Sequence, residues 1–340
     1  MRSPRFWLSI LLSAVLLWLA FRGQNLTATW SALRSADYRL LAPAIGLYFA
    51  GVWVRSARWG SLLAPIKAIG TDELFPVVVI GYMANDVLPA RMGEIVRVYV
   101  LAQRSKLSRS AALGTVVVER MLDASTMLAM LAVGAMLVPL NGPVQRVALV
   151  ASLALLVGVV GLLFIAYAPE TALRITGPFL ARAPRRVGDV MISAGSGFLS
   201  GLAVIRSGRV VSTALALSVV AWLFEAGMYY VLALAFDLRI GLSITLLTLA
   251  VANLATLVPA APGYVGSFHI AALLVLTGLA GVNQEAATGY VVVLHAALVL
   301  PVTLLGAYYW FSHHLSLSRI KLESDPRSSA RSRATAGAVD

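Results

Sequence analysis

Asn85-Asp86-Val87-Leu88-Pro89-Ala90-Arg91-Met92-Gly93-Glu94, with Arg97 one turn on, is a polar segment inside a chain that is otherwise mostly apolar. It follows Leu74–Tyr82, an apolar run too short to cross a bilayer unaided, because a spanning helix needs about 20 apolar residues. Pro89 lacks a backbone donor and Gly93 tolerates unusual dihedrals, so the pair punctuates a break between two half-helices. Broken helices at membrane depth are tolerated only when buried in protein or lining a cavity. The side chains gathered here make such a cavity useful, and the segment is expected to meet a polar head group.

Composition sets the class. The chain has 340 residues, 59% hydrophobic and 12% charged, with a mean hydropathy of +0.85. A soluble domain carries about 25% charged residues. An all-α polytopic membrane protein follows, since barrel strands would alternate in short segments. The net charge of +12 sits in loops between apolar spans, which argues against a nucleic-acid partner. There is no cysteine, which excludes disulfides, thiolate metal sites and cysteine catalysis. His269, His295, His313 and His314 form no metal motif, and G-x-x-x-x-G-K-[ST] does not occur, so no metal or cofactor is expected.

Outward from the polar segment the chain reads as six full spans and two re-entrant hairpins. Phe6–Phe21, preceded by Arg2 and Arg5, reads as an uncleaved signal anchor. Leu40–Val54 reaches toward Trp59, with Arg55 and Arg58 at its cytoplasmic end. Residues 72–106 hold the first hairpin: Leu74–Leu88 enters and Met92–Gln103 returns. On the returning helix Arg91, Glu94, Arg97 and Arg104 fall on one face. Ala111–Val138 carries Glu119, Arg120 and Asp123; Val147–Tyr167 is the next span, and 169–209 is a basic connector. Val210–Phe236 carries Glu225. Ile240–Val258 and Ser267–Leu279 form the second hairpin, broken by Asn253, Pro259, Pro262, Gly263 and Gly266. Ala286–Phe311 is the last span. The membrane domain thus covers 1–315, and 316–340 is a basic, disordered tail.

Basic residues orient the chain. With both termini in the cytoplasm, the loops on that side hold 21 of the 27 Lys and Arg, against five opposite. The first hairpin then opens to the cytoplasm and the second to the outside. An internal repeat agrees. Asn85 precedes Pro89-x-x-x-Gly93 as Asn253 precedes Pro259-x-x-x-Gly263, and Ala112–Val118 resembles Ala287–Val293 at a similar offset. Half-repeats of about 40–138 and 210–311 make an inverted repeat, which points to a site between the halves.

Between Asn85 and Asp123 the pattern Asn-x-x-Leu-Pro-x-Arg-x-Gly-Glu-x-x-Arg, then Ala112-Leu113-Gly114 and Glu119-Arg120-x-x-Asp123, resembles the transmembrane region of lysylphosphatidylglycerol synthase/flippase. The resemblance covers roughly 5–315. It implies a flippase-like membrane domain in the cytoplasmic membrane of a prokaryote, standing without the aminoacyl-transfer domain of the full synthase. Some relatives carry an Arg-Glu pair where this chain has Phe268-His269, which leaves a charged role there unsupported.

Each residue carries a functional and a structural reading. Arg91, Glu94 and Arg97 bind a lipid phosphate, or they form a salt-bridged turn that anchors the hairpin. Glu119, Arg120 and Asp123 are either a lock between helices or part of a substrate site. Glu225 is a lone acid that pairs with Arg120 or contacts substrate. Asn85 and Asn253 tie down broken backbone, or Asn85 joins the substrate site. His269 and His295 bond neighbouring carbonyls or relay protons. Trp18, Trp53, Trp59 and Trp310 belong in interfacial belts. Three functions remain: a translocase of anionic or head-group-modified lipids; a membrane-embedded head-group transferase of the phosphatidylglycerol lysyltransferase type; or a non-catalytic partner of a lipid-synthesis enzyme (in hopanoid synthesis, for example) or of a glycosyltransferase. A homo-oligomer is compatible with each.

Overall fold

Apolar runs become helices wherever no proline–glycine pair interrupts them. The computed structural model describes residues 25–88, 92–138, 142–168, 170–171, 197–256 and 262–312, with positions 15 and 195. Among these residues there are helices and turns but no strands, as an all-α membrane protein requires. The helices are α1 (Leu26–Ser35), α2 (Leu41–Leu63), α3 (Thr71–Val87), α4 (Gly93–Ser105), α5 (Arg109–Leu137), α6 (Gly142–Tyr167), α7 (Gly208–Ala235), α8 (Leu242–Ala255), α9 (Ser267–Gly278) and α10 (Gln284–Ser312). The expected signal anchor, Pro89, Arg91, Pro259, most of the basic connector and the tail lie outside the described residues.

Length sorts these helices. Tyr38–Leu63, Gly208–Ala235 and Gln284–Ser312 are long and apolar enough to cross a membrane. α5, with 29 residues, is about 43 Å long but carries Glu119, Arg120 and Asp123. α3, α4, α8 and α9 have 17, 13, 14 and 12 residues, each below the roughly 20 that a span needs. α3 packs on α4 and α8 on α9, so each short pair is a hairpin.

The packing repeats. α2 lies along α7 in the most extensive interface; α3 packs on α10, and α5 on α8. Exchanging α2–α5 for α7–α10 returns the α2–α7 pair to itself and turns the α3–α10 pair into the α8–α5 pair, which is also in contact. A single apolar cluster runs through both sets and includes Val52, Val79, Met228, Leu249 and Tyr290.

The two hairpins need glycine for different reasons. A Cβ at Gly93 would overlap the Gly81 carbonyl and the Asn85 side chain. Gly93 therefore provides space where α4 starts against α3; the unusual dihedrals expected of it are not adopted. In the second hairpin Gly263 (φ +70°) and Gly266 (φ +99°) do occupy the left-handed region that disfavours a side chain. The tips meet: a Cβ on Gly263 would lie 3.6 Å from the Asp86 carbonyl oxygen.

Two tryptophans depart from the interfacial reading. Trp59 is fully buried and its Nε1 donates to Thr115 Oγ1 at 3.1 Å. Trp310 is buried as well, whereas Trp53 is exposed. The reason for Trp59 is the length of α2, which continues past the expected loop to Leu63.

Candidate functional site

α2 presents Arg55 and Arg58 on the stripe that buries Tyr48, Val52, Trp59 and Leu62, a three- and four-residue spacing that faces the protein interior. The sequence places both arginines on the cytoplasmic side, because the apolar run ends at Val54. In fact Arg58 is completely buried and Arg55 nearly so. Burying a guanidinium is tolerable only with carboxylate partners. Those partners come from α5 and α7.

Arg58 Nη1 and Nη2 donate to the two carboxylate oxygens of Asp123, the second at 3.1 Å. Arg58 Nη2 also lies 3.0 Å from Glu119 Oε1, and Nη1 donates to Ser218 Oγ at 2.8 Å. Arg97, from α4, forks onto Glu119 at 3.1 and 2.7 Å and stacks over the Trp59 ring, 4.4 Å from its centroid. Such two-point pairs fix geometry as well as charge. Arg120 reaches Glu119 at 2.6 Å and Asp123 at 3.0 Å, and Trp222 Nε1 donates to Asp123 Oδ1 at 2.9 Å.

Glu94 is the loosely held member. It sits 3.3 Å from Arg97 Nε and 3.6 Å from Arg120 Nη1. Its Oε2 and the Nε atoms of Arg58, Arg97 and Arg120 are buried without a hydrogen bond. Glu225 pairs with Arg55 at 2.8 Å, not with Arg120, one of the two partners the sequence reading offers it. The cause is α7 lying along α2, which sets Arg55 over the Trp222 ring at 4.1 Å and beside Glu225. Asn253 Nδ2 donates to Leu249 O at 2.9 Å and approaches Glu225 Oε1 at 3.4 Å. Asn85 Oδ1 accepts from the Gly93 amide at 2.8 Å, bridging the break in the first hairpin.

These groups wall a cavity of about 160 Å³ where the two hairpins meet α2, α5, α7 and α10. Its lining takes Tyr48 and Arg55 from α2, Tyr82, Asn85 and Asp86 from α3, and Glu94 from α4. α5 adds Arg120 and Asp123, α7 adds Trp222 and Glu225, α8 adds Asn253 and Thr256, and α10 adds His295. Tyr264 and Phe268 close the side of the second hairpin. Five of the expected substrate-binding residues therefore share one cavity: Asn85, Glu94, Arg120, Asp123 and Glu225. Arg97 and Glu119 form a buried pair outside its lining. Sequence reasoning missed Arg55, Arg58 and Trp222, and gave Asp86 no role of its own although it lies in the opening polar segment.

The histidines separate. His295 Nε2 lies 2.7 Å from the Gly263 carbonyl, which only accepts, so Nε2 carries the proton and Nδ1 is the acceptor nitrogen. Phe268 stacks on His295 with centroids 4.8 Å apart, and His269 meets it edge-on at 4.8 Å. His295 lines the cavity and His269 does not. Among the described residues no group of three acidic or histidine side chains is placed to hold a metal ion.

A sequence profile described as the lysylphosphatidylglycerol synthase TM region matches residues 6–306. The chain belongs to this family. It is 26% identical over 277 residues to a UPF0104 membrane protein of Methanothermobacter thermautotrophicus, covering 77% of this chain and 82% of that protein. It is also 26% identical over 329 residues to Glycosyltransferase AglD of Haloferax volcanii, covering 86% of this chain and 52% of that protein. The chain thus spans about half the length of the second relative. No solved structure matches it. The family and the apolar helices together make this a membrane protein.

Proposed function

We propose that this protein is a lipid translocase of a prokaryotic cytoplasmic membrane, moving a polar or phosphate-bearing head group through the cavity between the hairpins. Both termini lie in the cytoplasm in this reading. α3–α4 and α8–α9 enter from opposite faces as the broken elements of an inverted repeat, with half-repeats of about 40–138 and 210–311. The carrying observation is the cavity itself. It sets Arg55, Arg120, Glu94 and Glu225 around a half-open, partly polar cavity between helices of a membrane protein. A chamber at the meeting point of two broken hairpins is the arrangement that secondary transporters use. Arg120, with its side chain 36% exposed, is the arginine best placed for a phosphate. Arg97 is buried with both terminal nitrogens on Glu119, so it supports the wall.

The test uses vesicles of phosphatidylethanolamine and phosphatidylglycerol holding the purified protein and a fluorescent phospholipid that a membrane-impermeant quencher reaches only in the outer leaflet. Wild type should render the inner-leaflet probe accessible, and Arg120→Ala should slow this by about tenfold or more. Losing a charge-assisted hydrogen bond costs about 1.5–3 kcal/mol, and 1.4 kcal/mol is a factor of ten. Arg104→Ala, outside the cavity lining, should behave as wild type. No acceleration by wild type over empty vesicles would remove the reading.

The second relative favours one alternative. It is named a glycosyltransferase, and the match covers about half of it. On that reading the domain is the membrane partner of a glycosyltransferase or lipid-synthesis enzyme, and co-purification with enzyme activity in the absence of translocation would support it.

A further inference from the structure

Carboxylates around the cavity are matched to arginines with one exception. Glu94 faces Arg97 and Arg120, Asp123 faces Arg58 and Arg120, and Glu225 faces Arg55. Asp86 has no cationic partner among the described residues. Among the described residues its Oδ2 accepts one hydrogen bond, from Thr303 Oγ1 of α10 at 2.9 Å. Arg55 and Arg120, the two cations in the lining, are already committed to other acids. Tyr48, Tyr82 and Tyr264, also in the lining, bring phenol hydroxyls and no cation. His295 has turned its N–H to Gly263.

Position gives this acid leverage. Asp86 ends α3, its carbonyl abuts Gly263 of the second hairpin, and its side chain is tied to α10. His295, also on α10, holds the other tip through the Gly263 carbonyl. One helix therefore fastens both hairpin tips at the point where an acid lacks a counter-ion. An unpaired carboxylate at membrane depth must be hydrated or take up a proton.

We propose that Asp86 is a proton-binding site that couples proton movement to opening and closing of the cavity. The step is the formation and breakage of one O–H bond: Asp86 takes a proton from water on one side of the membrane and returns it on the other. Ionised, it demands water between the tips and favours the open chamber. Protonated, it lets the tips and α10 close, while Thr303 still donates to the carboxyl oxygen. Coupling is reciprocal, so a bound head group shifts proton affinity as much as the proton shifts head-group affinity. The coupling half of this inference rests on the lipid reading above; the proton site does not.

Two measurements separate them. Infrared difference spectra of the purified protein at acid and neutral pH should contain a protonated-carboxyl C=O band that Asp86→Asn removes and Glu225→Gln retains. Thr303→Val, which keeps the acid and deletes its donor, should shift that band upward in frequency. Identical bands in wild type and Asp86→Asn, together with no shift in Thr303→Val, overturn the proton site. In the vesicle assay an imposed pH gradient should speed wild-type translocation severalfold, and Asp86→Asn, fixed in the neutral form, should lose that response. Wild-type movement indifferent to the gradient overturns the coupling and leaves the lipid reading standing. If the Asp86 band titrates while the fluorescent phospholipid does not move, the proton site stands and the lipid reading falls.

Discussion

At the scale of single residues, the charged network is governed by how many partners each buried ion keeps when one is lost. Removing one partner of a buried pair costs about 3–5 kcal/mol because the other charge remains, whereas removing both can be neutral. Glu225 has one arginine, Arg55, and a long contact to Asn253. Glu119 has three: Arg58, Arg97 and Arg120. Arg55→Ala should therefore destabilise the protein more than Arg97→Ala, although Arg97 is the more deeply buried. Thermal unfolding in detergent checks the order, and Arg55→Met/Glu225→Leu should recover most of the loss. Equal losses for the two single variants would show that partner number does not set the cost.

The same residues mark what the sequence could disclose. Glu94, Arg97, Glu119, Arg120 and Asp123 stand out because charges interrupt an apolar background, and the structure brings all five together. Arg55 and Arg58 were hidden by the opposite circumstance. They close an apolar run, where a cation ordinarily means the water boundary. The signal was available: 48, 52, 55, 59 and 62 recur at helical spacing and predict that α2 continues with these residues on its buried face. Which carboxylate each arginine takes was not legible, since Arg55 and Glu225 are 170 residues apart and meet only because α2 packs on α7.

Among elements, the hairpins offer a sharper comparison, because their glycines answer different constraints. Gly263 needs a positive φ but has room for a Cβ, so Gly263→Asn should be nearly neutral, asparagine being one of the residues that enters this region. Gly93 needs space and not dihedral freedom. Gly93→Asn should force α4 off α3 and cost about 1–3 kcal/mol, the range for overpacking. Asn85→Ala belongs to the same hairpin and should cost about 1–3 kcal/mol, since the Gly93 amide loses its acceptor. Asn85→Asp, which keeps the acceptor oxygen, should lose less. Melting temperatures of the four variants, compared with wild type, test the assignment. A larger loss at Gly263 than at Gly93 would contradict it. Sequence reading located both breaks from Pro and Gly, but the purpose of Gly93 depends on the helix opposite it, which no local pattern records.

For the whole molecule, orientation rests on charge placement, and burial weakens the original count without reversing it. Arg55, Arg58 and Arg97 were among the 21 basic residues assigned to the cytoplasmic side, yet they are interior ion-pair members and say nothing about which loop faces which compartment. The remaining 18 still outnumber the five on the other side, and the rule depends on Lys and Arg near span ends and in short loops. Lys106, in the turn between α4 and α5, should then face the cytoplasm, and Asp237, in the turn between α7 and α8, the outside. The absence of cysteine makes the measurement clean, since a single introduced cysteine is the only reactive thiol. In intact cells, Asp237→Cys should react with an impermeant maleimide and Lys106→Cys should react only after lysis. The reverse pattern would invert the protein. Reaction of both in intact cells would place the α4–α5 and α7–α8 turns on one face, and the opposed entry of the two hairpins, on which the translocation reading depends, would have to be abandoned.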